Sequence, residues 1–189
     1  TEVMNIDESE DPIVIEVYAK QFAWQARYAG ADNTLGLGNV NFIDETNNPI
    51  GVDMTDVASQ DDKPVSELHL PKGKKVLFKF RSQDVLHSAY MPHFRAQMNC
   101  VPGMVTQFGF TPKYTTEEMR QQSEVIDKTR EINKIRSEKG EDLYEFDYVL
   151  LCNKICGASH YSMQMKIVVE EEEEYNKWLA EQPTYAEKL

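Results

Sequence analysis

The stretch "YEFDYVLLCNKICGASHYSMQMKIVVE", residues 144–170, decides both the fold class and the chemistry. "YEFDYVLLC" (144–152) is rich in aromatic and β-branched residues and reads as a strand running into a loop; "MQMKIVVE" (163–170) reads as the strand that leaves it. Cys152, Cys156, His160 and Met163 are collected there with the spacing Cys-x3-Cys-x3-His-x2-Met. A hairpin-like loop can aim four such donors at one point. Thiolates and thioethers select copper over the hard cations, and a Cys, His and weak axial Met set suits copper electron transfer. Structural zinc competes, but its usual sites pair two distant ligand couples and do not use Met. A Cys152–Cys156 disulfide also competes, and it leaves His160 and Met163 without a role.

Such a loop draws a further imidazole from elsewhere. His87, in "QDVLHSAYMPHF" (83–94), follows a strand and precedes a loop, so it can lie beside the donors. His69 falls within a predicted strand as a surface or packed residue, and His93 is placed to support a ligand or to face an interface. His87, Cys156, His160 and Met163 alone would make a mononuclear blue copper site. Cys152 adds a second thiolate, which allows both sulfurs to bridge two coppers, each with one His and one weak axial donor.

Outward from the loop, "DPIVIEVYAKQFAWQARY" (11–28) reads as one long strand with Tyr18, Phe22, Trp24 and Tyr28 on the same face. Residues 29–65 carry Gly, Asn, Asp and Pro throughout and read as a long ordered loop. "SELHLPKGKKVLFKFRS" (66–82) gives two short strands about a Pro-Lys-Gly turn. Residues 83–103 read as a loop, and "MVTQFGFTP" (104–112) as a strand. Residues 114–138 switch to helical composition, with capping-box spacing at Thr115 and Glu118. The stripe of Met119, Val125, Ile126, Ile132 and Ile135 is thin, which suits a surface insertion lying on the domain or on a neighbour. Glu170 to Glu174 and "YNKWLAEQ" (175–182) form a short acidic helix. Short strands with one late helix predict an all-β sandwich or barrel.

The net charge of −12 excludes a nucleic-acid backbone as partner and suits a basic protein. No apolar run approaches the roughly 18 to 20 residues that span a bilayer. Three cysteines cannot all pair within one chain; Cys100, beside the "VPG" turn, reads as a small buried thiol.

Taken together, "QDVLHS", the Pro92 to "VPGM" segment, "CNKICGASHYSM" and the aromatic stretch "KQFAWQARY" resemble the soluble dinuclear copper (CuA) domain of subunit II of haem-copper cytochrome c oxidases. The resemblance covers most of the chain. It implies a cupredoxin-like Greek-key β-barrel or sandwich over residues 12–170, with the 114–138 helical insertion. Residues 1–11 would be an acidic lead after a membrane anchor, and 171–189 an acidic C-terminal helix and tail. Cys152 and Cys156 would bridge two copper ions, His87 and Met163 completing one metal, His160 and the Lys154 carbonyl the other. The domain would accept electrons singly from a c-type cytochrome, or from the haem domain of a neighbouring complex. It would pass them to haem in subunit I, where oxygen is reduced and protons are pumped.

Departures carry information too. Lys154 stands where the family usually has a Glu that helps hold magnesium or manganese against subunit I, and Asn99 where it commonly has Asp. Lys154, Asn99 and His93 are the residues the resemblance sets toward subunit I; either the Lys154 ammonium replaces the divalent cation there, or Lys154 points to solvent and the metal is simply absent. Phe22 occupies the position of the tryptophan that usually receives the electron, while Trp24 is retained. No Cys-x-x-Cys-His is present to attach haem, and no membrane helix, so the chain is expected to be the soluble part of a longer subunit on the periplasmic side of a bacterial inner membrane. A thioredoxin-like copper chaperone would set its Cys pair at the start of a helix. The copper domain of nitrous oxide reductase would accompany a large propeller.

Overall fold

Odd-numbered residues of β1 (Ile13–Lys20) and even-numbered residues of β2 (Ala23–Tyr28) share one buried face, because a two-residue turn at Gln21 and Phe22 reverses the chain between them. Ile15 pairs with Tyr28, Val17 with Ala26 and Ala19 with Trp24, and all six enter the main core. The expected single strand over 11–28 is therefore an antiparallel hairpin. Its turn carries neither Gly nor Asn, so the usual sequence mark of a tight reversal is missing. Tyr18 consequently lies on the opposite face from Trp24 and Tyr28, in a separate cluster with Ile50, Val52 and Tyr185.

The chain is described over residues 11–188 in this computed structural model. Residues 1–10, nearly all of the acidic lead, lie outside the described residues. The remaining strands are β3 (Lys63–Val65), β4 (Leu68–Pro71), β5 (Val76–Ser82), β6 (His87–Met91), β7 (Ala96–Cys100), β8 (Thr106–Phe110), β9 (Tyr148–Cys152) and β10 (Gln164–Glu170). One sheet has the order β3-β2-β1-β5-β8 and the other β4-β10-β9-β6-β7. β1 with β5 and β10 with β4 are parallel, and the other pairings are antiparallel.

Period-2 alternation in β5 sends Val76, Phe78 and Phe80 into the space between the sheets, where each is fully buried. Leu68, Leu70, Ala89, Met91, Leu150, Ile167 and Val169 meet them from the other sheet. Burying such a side chain contributes roughly 1.5–3 kcal/mol. Phe94 stacks on Phe110 of one sheet and on Tyr148 of the other, with ring centroids 4.4 and 4.5 Å apart, and closes one end.

The loop expected over 83–103 is instead the β6–β7 hairpin, turned by a 3₁₀ segment at Pro92–Phe94 and by Arg95 in the left-handed conformation. Polar residues facing outward thin its apolar pattern. The inserted helix is two helices, α1 (Thr116–Arg120) and α2 (Ser123–Lys139), and the capping box of Thr115 and Glu118 is formed. Met119 and Val125 both pack against the core. Six residues apart in a continuous helix they would point about 120° away from each other. The break at Gln121 and Gln122 brings both inward. α3 (Glu172–Glu181) buries Tyr175 and stacks Trp178 on His69 at 3.9 Å, and α4 (Tyr185–Lys188) follows. No helix among the described residues is long and apolar enough to cross a membrane.

The loop of residues 29–62 covers the outer face of β1 and is held by a buried guanidinium. Arg27 donates to Glu16 Oε2, Asp62 Oδ2 and the Gly36 carbonyl, each at 2.7 Å. Burial pushes the Asp62 carboxyl up to about 7, against the opposing pull of Arg27. The unfolded carboxyl titrates near ~3.9. The stabilisation from Asp62 is therefore fully present below that value and is lost as the pH rises through about 7. Urea denaturation across this window should show a contribution falling by at most about 1.4 kcal/mol per pH unit, and Asp62→Asn should remove it. Identical pH slopes in the two proteins would contradict the assignment.

Candidate metal centre

Strand register brings the donors together. β6 runs antiparallel to β9 with Ala89 opposite Cys152. His87 lies on the same face as Ala89, two residues further along, so it projects past the end of β9 over the loop that follows. The Asn153 amide donates to the Ser88 carbonyl at 2.9 Å, and the Cys152 amide to the Met163 carbonyl at 3.2 Å, which closes the base of the loop. Gly157 then turns the chain at φ +146°, and a 3₁₀ segment at His160–Ser162 returns it to β10.

Six donors line one small region. The Cys152 and Cys156 sulfurs stand 3.8 Å apart, well beyond bonding distance, and both cysteines are free. One ligating atom each from His87, Cys152 and Cys156 falls within 4.8 Å of the others. His87 Nδ1 is 3.9 Å from the Cys152 sulfur, and the Cys152 thiol donates to the Lys154 carbonyl at 3.3 Å. The Cys156 sulfur lies 3.6 Å from His160 Nδ1 and 3.8 Å from Met163 Sδ. His87, both cysteines and Met163 are buried, while His160 is half-buried and the Lys154 residue exposed.

The surroundings fix the imidazole. His87 Nε2 donates to Asp84 Oδ1 at 2.8 Å, which leaves Nδ1 free to face the sulfurs. Partial burial works against ionisation of Asp84, but bonds from His87 and from the Gln21 and Val85 amides outweigh it and hold its carboxyl below the usual range. Sequence reading missed Asp84. The available signal was an acid three residues before a candidate ligand, close enough in the turn to reach the outer ring nitrogen.

The donor chemistry fits copper. Two thiols and a thioether are soft donors, two imidazole nitrogens suit copper as well, and the Lys154 carbonyl is a weak hard donor beside them. Among the described residues the metal-ligating cluster is His87, Cys152 and Cys156, without a carboxylate. Burial and the neighbouring Cys152 thiol push the Cys156 thiol up to about 11. A metal must therefore displace that proton on binding.

The other expected residues occupy distinct places. Trp24 is buried, its ring edge-on to His87 at 6.2 Å between centroids, and its indole N–H donates to the Met163 carbonyl at 3.3 Å. Phe22 is half-buried and packs where a side chain on Gly157 would go. Asn99 is exposed on β7 opposite Ser88, on the same side as the loop. His93 lies beyond the far end of β6 from His87, with its ring against Phe146 at 4.8 Å.

Two face-to-face mixed sheets with a donor-lined loop at one end define a cupredoxin-like metal-binding domain. The crystal structure of the periplasmic domain of subunit II of cytochrome oxidase from Bradyrhizobium japonicum shares the fold, with a TM-score of 0.51 and 17% identity over 89% of this chain and 91% of that one. The family described as cytochrome c oxidase subunit II, periplasmic domain, matches residues 13–135. An alternative cytochrome c oxidase subunit 2 from Bradyrhizobium diazoefficiens is 37% identical over 178 residues, 93% of this chain and 53% of that protein. A cytochrome c oxidase subunit 2 from Alkalihalophilus pseudofirmus is 23% identical over 182 residues, 93% of this chain and 36% of that protein. The chain belongs to the family of cytochrome c oxidase subunit II periplasmic domains. It spans about half the length of the Bradyrhizobium diazoefficiens relative. The family match includes Asp84 and His87 and stops before the Cys152 to Met163 loop.

Cys100, opposite His87 on β7, is fully buried, and burial pushes its thiol up to about 12. In metal-free protein treated with iodoacetamide, Cys100 should be the last cysteine modified, as peptide mapping by mass spectrometry would show. Modification of Cys100 ahead of Cys156 would contradict its placement in the core.

Proposed function

We propose that this domain is the electron-receiving part of a respiratory haem-copper oxidase, built to hold two copper ions between the Cys152 and Cys156 thiolates. The observation that carries the reading is the convergence of two imidazole nitrogens, a thioether and a carbonyl on two sulfurs 3.8 Å apart. On this reading His87 and Met163 would help hold one copper, and His160 with the Lys154 carbonyl the other. When bound, the pair supplies a one-electron couple shared over two metals. The protein's part is to keep the donors fixed in both oxidation states, so that little must rearrange as an electron arrives or leaves.

Electrons come singly from a c-type cytochrome, or from the haem domain of a neighbouring complex, and go to haem in subunit I, where oxygen is reduced and protons are pumped. Exposed apolar side chains adjoin the ligands: Leu86 precedes His87, Ile155 precedes Cys156 and Tyr161 follows His160. This rim supplies a dehydrated contact for a transient partner, while the net charge of −12 draws a basic one toward it. Phe22, at the surface beside the loop, and Trp24 beneath it are the aromatic residues through which an electron would reach the centre. Lys154 gives the subunit I boundary a positive charge from the chain itself, in place of magnesium or manganese. The domain faces the periplasm at a bacterial inner membrane.

Electron paramagnetic resonance of the copper-loaded, oxidised domain tests the centre directly. The expected spectrum shows hyperfine structure from one electron shared over two coppers, with two coppers per chain, and Cys152→Ser should collapse it to a single-copper pattern. One copper per chain in the unaltered protein, with a single-nucleus spectrum, would return the site to the mononuclear reading.

A further inference from the structure

The turn between β1 and β2 contacts the donor set through Gln21 and Phe22. The Gln21 backbone amide donates to Asp84 Oδ2 at 2.7 Å, and the other oxygen of that carboxylate holds His87 Nε2 at 2.8 Å. The Gln21 side-chain amide donates to the Cys156 carbonyl. One residue is thus tied to His87 through Asp84 and to the backbone of Cys156 directly. Next along the turn, Phe22 occupies the space beside Gly157: a Cβ there would sit 2.7 Å from Phe22 Cζ and 2.9 Å from Gln21 Nε2, at a φ that L side chains rarely adopt. Trp24 completes the contact through its bond to the Met163 carbonyl.

These contacts come from a hairpin far from the ligand loop in sequence, and His87 and the loop come from different strands. β6 and β9 are paired at Ala89 with Cys152 and Tyr90 with Leu151, and the bond from the Asn153 amide to the Ser88 carbonyl extends this register by one step, which fixes His87 but leaves the Cys156 segment beyond it. The position of the Cys156 segment beneath the His87 ring then depends on contacts beyond that register, and Gln21 is bonded toward both.

We infer that Gln21 is a positioning residue for the metal centre, and that the β1–β2 turn is a latch holding the Cys156 segment and the His87 ring in place before metal arrives. The inference rests on the copper reading of the site. A site whose donors are ordered in advance does not spend metal-binding free energy on ordering them. The backbone bond to Asp84 can be made by any residue except Pro at this position, so the side chain alone carries the link to Cys156. Gln21→Leu and Gln21→Glu separate the two contributions. Both keep the hairpin and the Asp84 bond, and both remove the side-chain donor, Glu while preserving the shape.

Hydrogen exchange on the metal-free protein and copper affinity by competition with a chelator test the latch together. In both variants the amides of residues 155–160 should exchange about tenfold faster while those of β1 and β2 keep their protection. Copper affinity should fall about tenfold, equivalent to about 1.4 kcal/mol and of the size of one net hydrogen bond. Unchanged loop exchange and unchanged affinity would overturn the inference. Loosening of β1 and β2 along with the loop would overturn it too, because Gln21 would then be serving the hairpin alone. Should the unaltered protein fail to take up two coppers, the functional reading fails, while loop exchange in the metal-free protein still decides whether the latch exists.

Discussion

The pairing of β6 with β9 is the constraint on which the chemistry depends. Two residue pairs, Ala89 with Cys152 and Tyr90 with Leu151, fix how far His87 overhangs the end of β9. A shift of one residue would turn the His87 ring to the other face of the sheet and leave the thiols without that imidazole. The register is secured by burial. Ala89, Met91 and Leu150 are completely enclosed, and moving any of them outward would expose apolar surface. The same side chains that make the sandwich stable therefore place the candidate metal donors.

Much of the site was legible because its donors are chemically uncommon and close together. Cys152, Cys156, His160 and Met163 needed only a loop between two strands, and both strands were readable from their β-branched and aromatic content. His87 was harder: its neighbourhood is polar, and the β6–β7 hairpin looked like loop until its inward side, Ala89 and Met91, was seen buried. Asp84 left only the faint local trace of an acid three residues before His87, and Gln21 left none, because its contacts reach across 63 residues to Asp84 and 135 to Cys156. The β1–β2 turn escaped for a related reason. Its reversal is stabilised by contacts to Asp84 and the ligand loop instead of by the Gly or Asn that a self-sufficient turn would carry.

The molecule is divided in chemical character between its two ends. At the ligand end, exposed Ile155 and Tyr161 surround buried sulfur, and the backbone is held by hydrogen bonds from side chains of another hairpin. At the other end Trp178 of α3 lies flat on His69, which sits between the Glu170 and Glu67 carboxylates, and Lys63 caps the last carbonyls of the helix at Leu179 and Gln182. The inserted α1 joins this second end, where the Val169 amide donates to Thr116 Oγ1 and Lys72 pairs with both Glu118 and Glu171. The insertion is further anchored by Met119, Val125 and the bonds from Arg120 to the Phe146 carbonyl and Asp147.

The fastening of the long loop has a consequence for the order of assembly. The Asp62 and Gln60 carbonyls accept from the amides of Tyr185 and Ala186, which are translated far later than the loop they secure. Until residues 185 and 186 are in place, the cover over the outer face of β1, where Arg27 meets Glu16, lacks these two fastenings. The cysteines of the ligand loop emerge before that seal can form. Their partners in β2, β6 and the β1–β2 turn have by then been made, so the donors can meet while the opposite side of the sandwich is still open to water.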